Sequence, residues 1–209
     1  MHPKKALILI DLQNDFCQNG SLAVAEGDDV IPIANQIQPY FELVVATQDW
    51  HPKDHVSFAS NQPGHEVGEV ISLHGVAQVL WPDHCIQRSN GAAFHPKLDT
   101  HHIDRIIFKG TDKSIDSYSA FFDNAHLRST ELEDYLHQEK IKDVYIMGLA
   151  TDYCVKFSCL DAVELGFNVF LIQDGCRGVE LHSGDVNIAI DVMKKAGVNV
   201  IFSNQLITK

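Results

Sequence analysis

The sequence predicts an α/β protein, a three-layer α/β/α sandwich built around a mostly parallel sheet of about six strands. Short apolar runs rich in β-branched residues alternate along the chain with amphipathic helical segments. This alternation favours right-handed crossovers between parallel strands over a fold that segregates helices from strands. A chain of 209 residues is long enough to bury a sizeable core, and we interpret residues 1–209 as one domain.

The predicted strands have the near-continuous apolar character of strands that are buried on both faces. Glycines close two of the helical segments, and Gly166 and Gly197 match helix C-terminal caps. Strands are predicted at residues 6–10, 42–48, 105–108, 144–149, 167–172 and 198–202. Helices are predicted at about residues 28–41, 131–140, 152–165 and 184–196.

Two long stretches interrupt this alternation, at about residues 52–100 and 111–130. Both are rich in His, Pro, Gly, Asp, Asn and Ser. Long loops inside a compact domain are usually lids or binding loops. We therefore expect both stretches to be insertions that lie over the active site.

The charge balance excludes two classes of partner. The chain has 28 acidic and 16 basic residues, a formal net charge of -12. Such a chain repels nucleic-acid phosphates and anionic membrane surfaces, so we expect neither as a partner. The first apolar run is too short for a signal peptide or a membrane span, which predicts a cytoplasmic protein. Five cysteines without CxxC spacing indicate free thiols.

Three apolar runs end at or near a reactive side chain. ALILI is followed by Asp11, RIIF by Lys109, and VYIMGL leads to Cys154. The carboxyl ends of parallel strands share one edge of the sheet, where open α/β folds bind ligands. An acid, an amine and a thiol are thus predicted to share one crevice.

Each of these groups has a chemical role in such a crevice. A thiol needs help to ionise near neutral pH, and Asp11 can accept its proton while Lys109 holds that carboxylate charged. Cys154 lies in the predicted first turn of a helix that Thr151 is expected to cap. Taken alone, Cys154 fits a packing residue better than a nucleophile, because buried cysteine is common. A packing role explains Asp11 and Lys109 less well, because charged groups at strand ends are rarely buried without a partner.

A second group has the chemistry of a metal site. Asp49 and His51 are two residues apart at a strand end, so their side chains leave the same face, and Pro52 favours that extended backbone. His84 offers a third donor, and His55 follows close behind. Such a set suits one divalent ion, Zn, Fe or Mn. Solvated loop histidines are the alternative reading, since the DxH spacing alone is weak.

A resemblance to a known family joins these groups. The segments that carry it are LILIDLQNDF, GSLAV, VVATQDWHP, WPDHC, GAAFHPKLD, FKG, DSYSAFFDN and GLATDYCVKF. In this order, over about residues 6–180, they resemble the nicotinamidase (pyrazinamidase/nicotinamidase) group of the isochorismatase-like cysteine hydrolases. The combination is specific, whereas any single motif is modest support.

The resemblance implies the catalytic groups. Asp11, Lys109 and Cys154 match the family's catalytic triad. The oxyanion hole falls on the backbone amides of Ala150 and Cys154, and a cis peptide is expected between Leu149 and Ala150.

The resemblance also implies the binding groups. Asp49, His51 and His84 match the metal ligands, and His55 matches a further histidine that only some members use. Tyr153 stands where some relatives carry His. The positions that match substrate-binding residues are Phe16, Trp81, Tyr118 and Tyr153.

The implied activity is hydrolysis of nicotinamide to nicotinate and ammonia through a cysteine thioester, in NAD salvage, with pyrazinamide as a further substrate. Three alternatives stay open: a sister amidase that acts on a carbamoyl or ureido substrate, a metal oxygenase or metallohydrolase that uses Asp49, His51 and His84 directly, and a catalytically silent binding module. The small-molecule partner expected is nicotinamide, and the protein is expected as a monomer or homo-oligomer.

Overall fold

The computed structural model describes residues 4–73 and 75–207. Its strands in chain order are β1 Lys5–Ile10, β2 Leu43–Asp49, β3 Val70–Leu73, β4 Val76–Val79, β5 Arg105–Lys109, β6 Asp143–Leu149, β7 Asn168–Arg177 and β8 Asn199–Ile201. Six of them form a sheet in the order β5-β2-β1-β6-β7-β8, and all of its pairs are parallel. The predicted α/β class and six-stranded parallel sheet are confirmed.

The strand order places a topological switch point beside β1. From β1 the chain runs through β2 to β5 on one side, and through β6 to β8 on the other. Parallel strands bring their carboxyl ends to one edge, and a crevice forms where the order reverses. The ends of β5, β2, β1 and β6 are therefore neighbours there.

Four α-helices follow the predicted segments but are shorter. They are α1 Val30–Ile37, α2 Leu132–Gln138, α3 Lys156–Glu164 and α4 Asp185–Ala196. The end of α4 is as predicted, with Gly197 at φ 105° as its cap. The predicted cap at Gly166 is also found, at φ 86°, since its N–H donates to Val163 O and that of Phe167 to Ala162 O.

The first long insertion is more ordered than predicted. Within 52–100 the chain forms an antiparallel hairpin, β3 with β4, in which Val70 pairs with Val79. Its strands are only four residues each and lie between Pro- and Gly-rich segments, so the sequence pattern did not separate them from loop. Residue 74, between these strands in sequence, lies outside the described residues.

Strand β7 is longer than the predicted 167–172. It continues to Arg177, and the added part pairs Gly148 with Cys176 and Leu149 with Arg177 after a register shift. The polar sequence QDGCR hides this extension, because its pairing depends on the end of β6 rather than on apolar residues. Within the described ranges no helix is long and apolar enough to cross a bilayer.

Candidate active site

The strand ends bring the predicted reactive groups together. Asp11 directly follows β1 with φ 51°, a left-handed conformation that is uncommon for a non-glycine residue. Lys109 is the last residue of β5. Cys154 lies in a π-helical turn, Thr151–Val155, that joins β6 to α3. The peptide bond between Leu149 and Ala150 is cis, as the resemblance implied.

Lys109 is the electrostatic centre of this group. Its side chain is fully buried, and its Nζ lies 2.9 Å from Asp11 Oδ2, 3.0 Å from Asp49 Oδ1 and 3.4 Å from Cys154 Sγ. The ammonium also donates to the Ser117 carbonyl at 3.1 Å. Burial by itself lowers the pKa of Lys109, but the Asp11 and Asp49 carboxylates hold it well above its usual value. Lys109 is therefore a cation in the folded protein.

Asp11 is held in place and made more basic by its surroundings. Asp11 Oδ1 accepts a hydrogen bond from Thr47 Oγ1 at 2.6 Å, and the Asp11 backbone N–H donates to Thr47 Oγ1 at 3.1 Å. Burial raises the pKa of the Asp11 carboxyl, although Lys109 and Thr47 oppose this rise. A carboxylate with a raised pKa is a better acceptor for a thiol proton.

The thiol of Cys154 is protonated in this resting arrangement. Burial raises its pKa well above the usual value, and the nearby Lys109 ammonium opposes that rise. Ionisation thus depends on a proton acceptor rather than on the helix end alone. All five cysteines are free thiols, as predicted. The predicted cap at Thr151 is wrong, because its buried hydroxyl has no hydrogen-bond partner among the described residues and Ala150 takes the cap position.

Asp49, His51 and His84 form a compact group with the chemistry of a metal site. All three are buried, and their ligand atoms lie within 4.8 Å of one another. Asp49 Oδ2 is 3.0 Å from His51 Nε2 and 3.4 Å from His84 Nε2. The remaining carboxylate oxygen, Oδ1, is bound by Lys109. One anionic oxygen and two imidazole nitrogens thus converge on one point.

The histidine tautomers favour a metal ion at this point. His51 Nδ1 lies 2.9 Å from Gly110 O, and His84 Nδ1 lies 2.8 Å from Pro82 O, so each Nδ1 is placed to donate its proton to a carbonyl. That leaves both Nε2 lone pairs directed to the Asp49 carboxylate, and the buried His51 Nε2 has no hydrogen-bond partner within the described part of the chain. Gly110 is required here, because a Cβ at this position would lie 2.4 Å from the His51 ring. The group fits a divalent cation.

His55 is arranged differently. Its Nδ1 lies 2.7 Å from Ser57 Oγ and its Nε2 lies 3.3 Å from Ile115 O, so protein groups contact both ring nitrogens. Burial and the nearby His51 lower its pKa to about 4, which keeps the ring neutral. The His55 and His51 ring centroids are 4.2 Å apart with the rings tilted by 41°, and His55, His51 and Asp116 form a second cluster of ligand atoms within 4.8 Å.

Sequence reasoning missed a residue that positions Asp49. Buried Gln13 hydrogen-bonds to both backbone groups of Asp49. Its Nε2 donates to Asp49 O at 2.8 Å, and its Oε1 accepts from Asp49 N at 2.8 Å. The same amide donates to Ala92 O at 2.9 Å. Gln13 belongs to the LILIDLQNDF motif, and its position just after an apolar strand was the only signal for it.

An adjoining pocket opens beside the thiol. It encloses about 330 Å³, including its mouth. The four predicted substrate-binding residues line it, namely Phe16, Trp81, Tyr118 and Tyr153. Cys154, Ala150, Asp49 and His84 face the same space. The structure thus brings the thiol, two metal-ligand candidates and the aromatic residues to one cavity.

The pocket wall also contains residues that the sequence did not indicate. Leu22, Asp116 and Val179 line it. Asp116 is buried and accepts from Gln78 Nε2 on β4 at 2.9 Å, and the same nitrogen lies 3.2 Å from the Tyr118 hydroxyl. The hairpin therefore supports the aromatic wall, a contact that only the fold reveals.

A buried carboxylate beside the nucleophile holds Val179 over the pocket. Asp152 accepts hydrogen bonds from the backbone N–H of Val179 at 3.0 Å and of Glu180 at 2.7 Å. Asp152 lies in the π-helical turn two residues before Cys154. The turn that presents the thiol thus also fixes the segment that follows β7.

Comparison with known proteins gives a consistent result. A family model described as the isochorismatase domain matches residues 5–205. The nicotinamidase of Escherichia coli (strain K12) is 48% identical over 202 residues, 95% of this chain and 94% of that protein. The nicotinamidase of Saccharomyces cerevisiae is 32% identical over 94% of this chain and 99% of its own.

Solved structures agree with this. A nicotinamidase/pyrazinamidase of Acinetobacter baumanii has a TM-score of 0.96 at 46% identity, covering 99% of this chain and 100% of its own. The yeast nicotinamidase bound to the inhibitor nicotinaldehyde has a TM-score of 0.90 at 32% identity, covering 95% and 99%. A pyrazinamidase of Pyrococcus horikoshii in complex with zinc has a TM-score of 0.78 at 36% identity, covering 96% and 99%.

Proposed function

The chain belongs to the isochorismatase family, and from that premise we propose that it is a nicotinamidase, which hydrolyses nicotinamide to nicotinate and ammonia through a cysteine thioester. Asp11, Lys109 and Cys154 form the proposed triad. The observation that carries the proposal is the position of Lys109 Nζ, 2.9 Å from Asp11 Oδ2 and 3.4 Å from Cys154 Sγ, at the edge of an aromatic pocket.

The first step is proton transfer from the thiol. Asp11 takes the proton of Cys154 Sγ, and the thiolate that forms is stabilised by the Lys109 ammonium 3.4 Å away. Burial raises the pKa of the Asp11 carboxyl, which makes it a stronger base for this transfer. Lys109 keeps its proton throughout and supplies positive charge only.

The second step is attack on the amide. The thiolate sulfur forms a bond to the carboxamide carbon, and the carbonyl oxygen becomes an oxyanion that the backbone N–H groups of Ala150 and Cys154 are proposed to stabilise. As the tetrahedral intermediate collapses, the C–N bond breaks and Asp11 returns its proton to the leaving nitrogen. The products of this half-reaction are ammonia and a thioester on Cys154.

The third step releases the acid. Asp11, again a carboxylate, takes a proton from water, whose oxygen attacks the thioester carbonyl. The C–S bond breaks and Asp11 returns the proton to the sulfur. The product leaves as nicotinic acid and gives its acidic proton to solvent to become nicotinate, and the enzyme has its starting charges.

Substrate positioning is assigned to the metal group and the aromatic wall. We propose that Asp49, His51 and His84 hold one divalent ion, with Zn, Fe and Mn as the candidates, because the buried donor set fits such an ion and a zinc-bound relative supports it. When bound, such an ion offers an open coordination position to the pyridine nitrogen. His55 is left out of this set, since protein groups contact both its nitrogens.

The proposed ring site consists of Phe16, Trp81, Tyr118 and Tyr153. Flat aromatic walls suit a neutral pyridine, and pyrazinamide has the same ring geometry, so we propose its deamidation as well. We also assign the reaction to NAD salvage in the cytoplasm, a compartment in which five free thiols persist.

The test is ammonia release from nicotinamide by the purified, metal-loaded protein. Cys154→Ala is compared with Cys159→Ala, which removes another buried thiol on the following helix. We expect turnover in the wild type and in Cys159→Ala, and loss of at least about 10³-fold in Cys154→Ala. Activity that survives Cys154→Ala would assign the chemistry to the metal group instead, and no release by the wild type would overturn the substrate assignment.

A further inference from the structure

A second cluster of metal-type ligands lies outside the active site. His126, in the second long loop, meets Asp161 and Glu164 of α3, and their ligand atoms lie within 4.8 Å of one another. His126 Nε2 is 3.3 Å from Asp161 Oδ1. Asp161 and Glu164 are three residues apart on the helix, a spacing that places both carboxylates on one face.

Asp161 lacks a full set of partners although it is buried. Its residue exposure is 5%, and its Oδ2 has no hydrogen-bond partner among the described residues. A buried carboxylate oxygen without a partner is costly, because it has lost water and gained nothing in return. The ion pair with His126 satisfies only the other oxygen.

A cavity beside Asp161 is bordered by a second buried carboxylate that lacks a hydrogen-bond partner for one oxygen. The cavity encloses about 530 Å³, including its mouth, and is lined by Asp123, His126 and Asp161 together with Ser119 and Asn124. Asp123 is also buried, and its Oδ2 likewise has no hydrogen-bond partner among the described residues. Two incompletely satisfied carboxylates and one imidazole therefore border one space.

The electrostatics of the cluster of His126, Asp161 and Glu164 favour a bound cation. Burial raises the pKa of the Asp161 carboxyl, Ser119 and His126 oppose the rise, and the Glu164 carboxylate raises it further. In the described chain the ion-pair partner of Asp161 is His126, not a lysine or an arginine. Two carboxylates thus lie beside one imidazole.

We propose that His126, Asp161 and Glu164 form a second divalent-cation site, separate from the catalytic group. One imidazole and two carboxylates suit a borderline ion such as Zn²⁺ or Mn²⁺, with water completing its shell from the adjoining cavity. The site ties the loop of residues 111–130 to α3, the helix that continues from the Cys154 turn.

The loop tied in this way also forms the active-site wall. Asn124 Oδ1 accepts from the Tyr118 backbone N–H at 2.9 Å, and Asn124 N donates to Asp116 O at 2.8 Å. Tyr118 and Asp116 both line the pocket beside Cys154. A cation on His126, two residues beyond Asn124, therefore stabilises the loop on which that wall depends.

The test counts zinc ions on the full-length protein. After removal of metal by a chelator and reloading with zinc alone, we expect two equivalents per chain in the wild type. Glu164→Gln and His126→Gln should each bind one, His84→Ala one, and the double variant His84→Ala with Glu164→Gln none. His137→Gln is the control, since His137 is similarly exposed and pairs with Glu133 at 3.7 Å; it should keep two.

Thermal unfolding gives a second readout that does not depend on activity. Zinc should raise the Tm of His84→Ala, because the second site is intact, and should leave the Tm of the double variant unchanged. Glu164 is exposed, so Glu164→Gln does not disturb folding. Equal zinc content in the wild type and Glu164→Gln, or a His84→Ala variant that binds no zinc, would overturn the proposal. Nicotinamide hydrolysis is scored separately, so failure of the proposed activity leaves this count unaffected.

Discussion

The sheet edge and the loops that cover it hold their parts of the site in different ways. At the edge, Asp11, Lys109 and Asp49 are buried and joined by ion pairs of 2.9 and 3.0 Å. In the loops, the pocket wall is aromatic, and Trp81 and Tyr118 are held by neutral hydrogen bonds, such as Trp81 Nε1 to the Tyr118 hydroxyl at 3.1 Å.

This difference indicates that the two regions have different roles, one in the chemical step and one in substrate binding. Charges fixed in a dry environment act on the bond that breaks, because their interactions are strong there. Aromatic side chains on loops enclose the ring, and each contributes a modest part of the binding. Substitutions at the edge should thus lower kcat, whereas those in the loops should mainly raise KM.

Asp11→Asn should have the largest effect of these substitutions. Asparagine is isosteric but cannot take the thiol proton, so kcat should fall by about 10³- to 10⁴-fold with KM little changed. Steady-state ammonia release measures both constants. Asp191→Asn, an exposed site on α4, is the control and should have wild-type kcat. A loss below tenfold would remove Asp11 as the base.

Lys109→Ala should cost both activity and stability. It leaves the buried Asp11 and Asp49 carboxylates without the ammonium that both contact, which costs about 3–5 kcal/mol of folding free energy, and it should cut kcat by at least about 10²-fold. Kinetics below the Tm, with thermal unfolding in parallel, separate the two losses.

The matched control is Lys113→Ala, which breaks an ion pair of the same length to Asp54, 3.0 Å, on the surface. That change should leave both the Tm and turnover near the wild-type values, because the pair is exposed to solvent. Near-normal turnover in Lys109→Ala would exclude Lys109 from the mechanism.

His84→Ala tests the boundary between the two regions, since His84 comes from a loop and faces Asp49 at the edge. It should lose one equivalent of zinc and raise KM for nicotinamide by about 10- to 100-fold, because the ring loses its anchor. Metal analysis and saturation kinetics are the measurements. His101→Ala, at a histidine whose side chain is 91% exposed, should change neither.

Tyr118→Phe should have the smallest effect. It removes the hydroxyl that lies 3.1 Å from Trp81 Nε1 and 3.2 Å from Gln78 Nε2, so two donors lose an acceptor. At about 1 kcal/mol, KM should rise roughly fivefold with kcat unchanged. Tyr40→Phe, at an exposed tyrosine, should be neutral. A fall in kcat rather than a rise in KM would contradict the assignment of loop residues to substrate binding.

Much of the edge could be predicted from the sequence. Asp11, Lys109 and Cys154 follow apolar runs, and parallel pairing brings such positions together whatever the detailed packing. Asp49 and His51 share the end of one strand, so local geometry already places them on one face. His84 is remote from them in sequence, so its donor chemistry made it only a candidate, and the resemblance to the family matched it to a metal ligand.

The residues that support the loop wall were harder to predict from the sequence. Gln13, Gln78 and Asp116 are polar residues that resemble ordinary loop residues, yet they are buried and bonded within the site. The hairpin β3–β4 and the extension of β7 form through pairing with distant or irregular partners. Local sequence does not encode such contacts, since they depend on how the insertions fold back over the sheet.

The sequence by itself determined the fold class, the strand ends and the identity of the reactive groups, because hydrophobic periodicity and turn residues act locally along the chain. Only the tertiary structure decided that Lys109 pairs with Asp11 and Asp49 at once, that carbonyls orient His51 and His84, and that Asp161 meets His126 across a cavity. These relations depend on distances between residues far apart in the chain, which strand register and loop packing set.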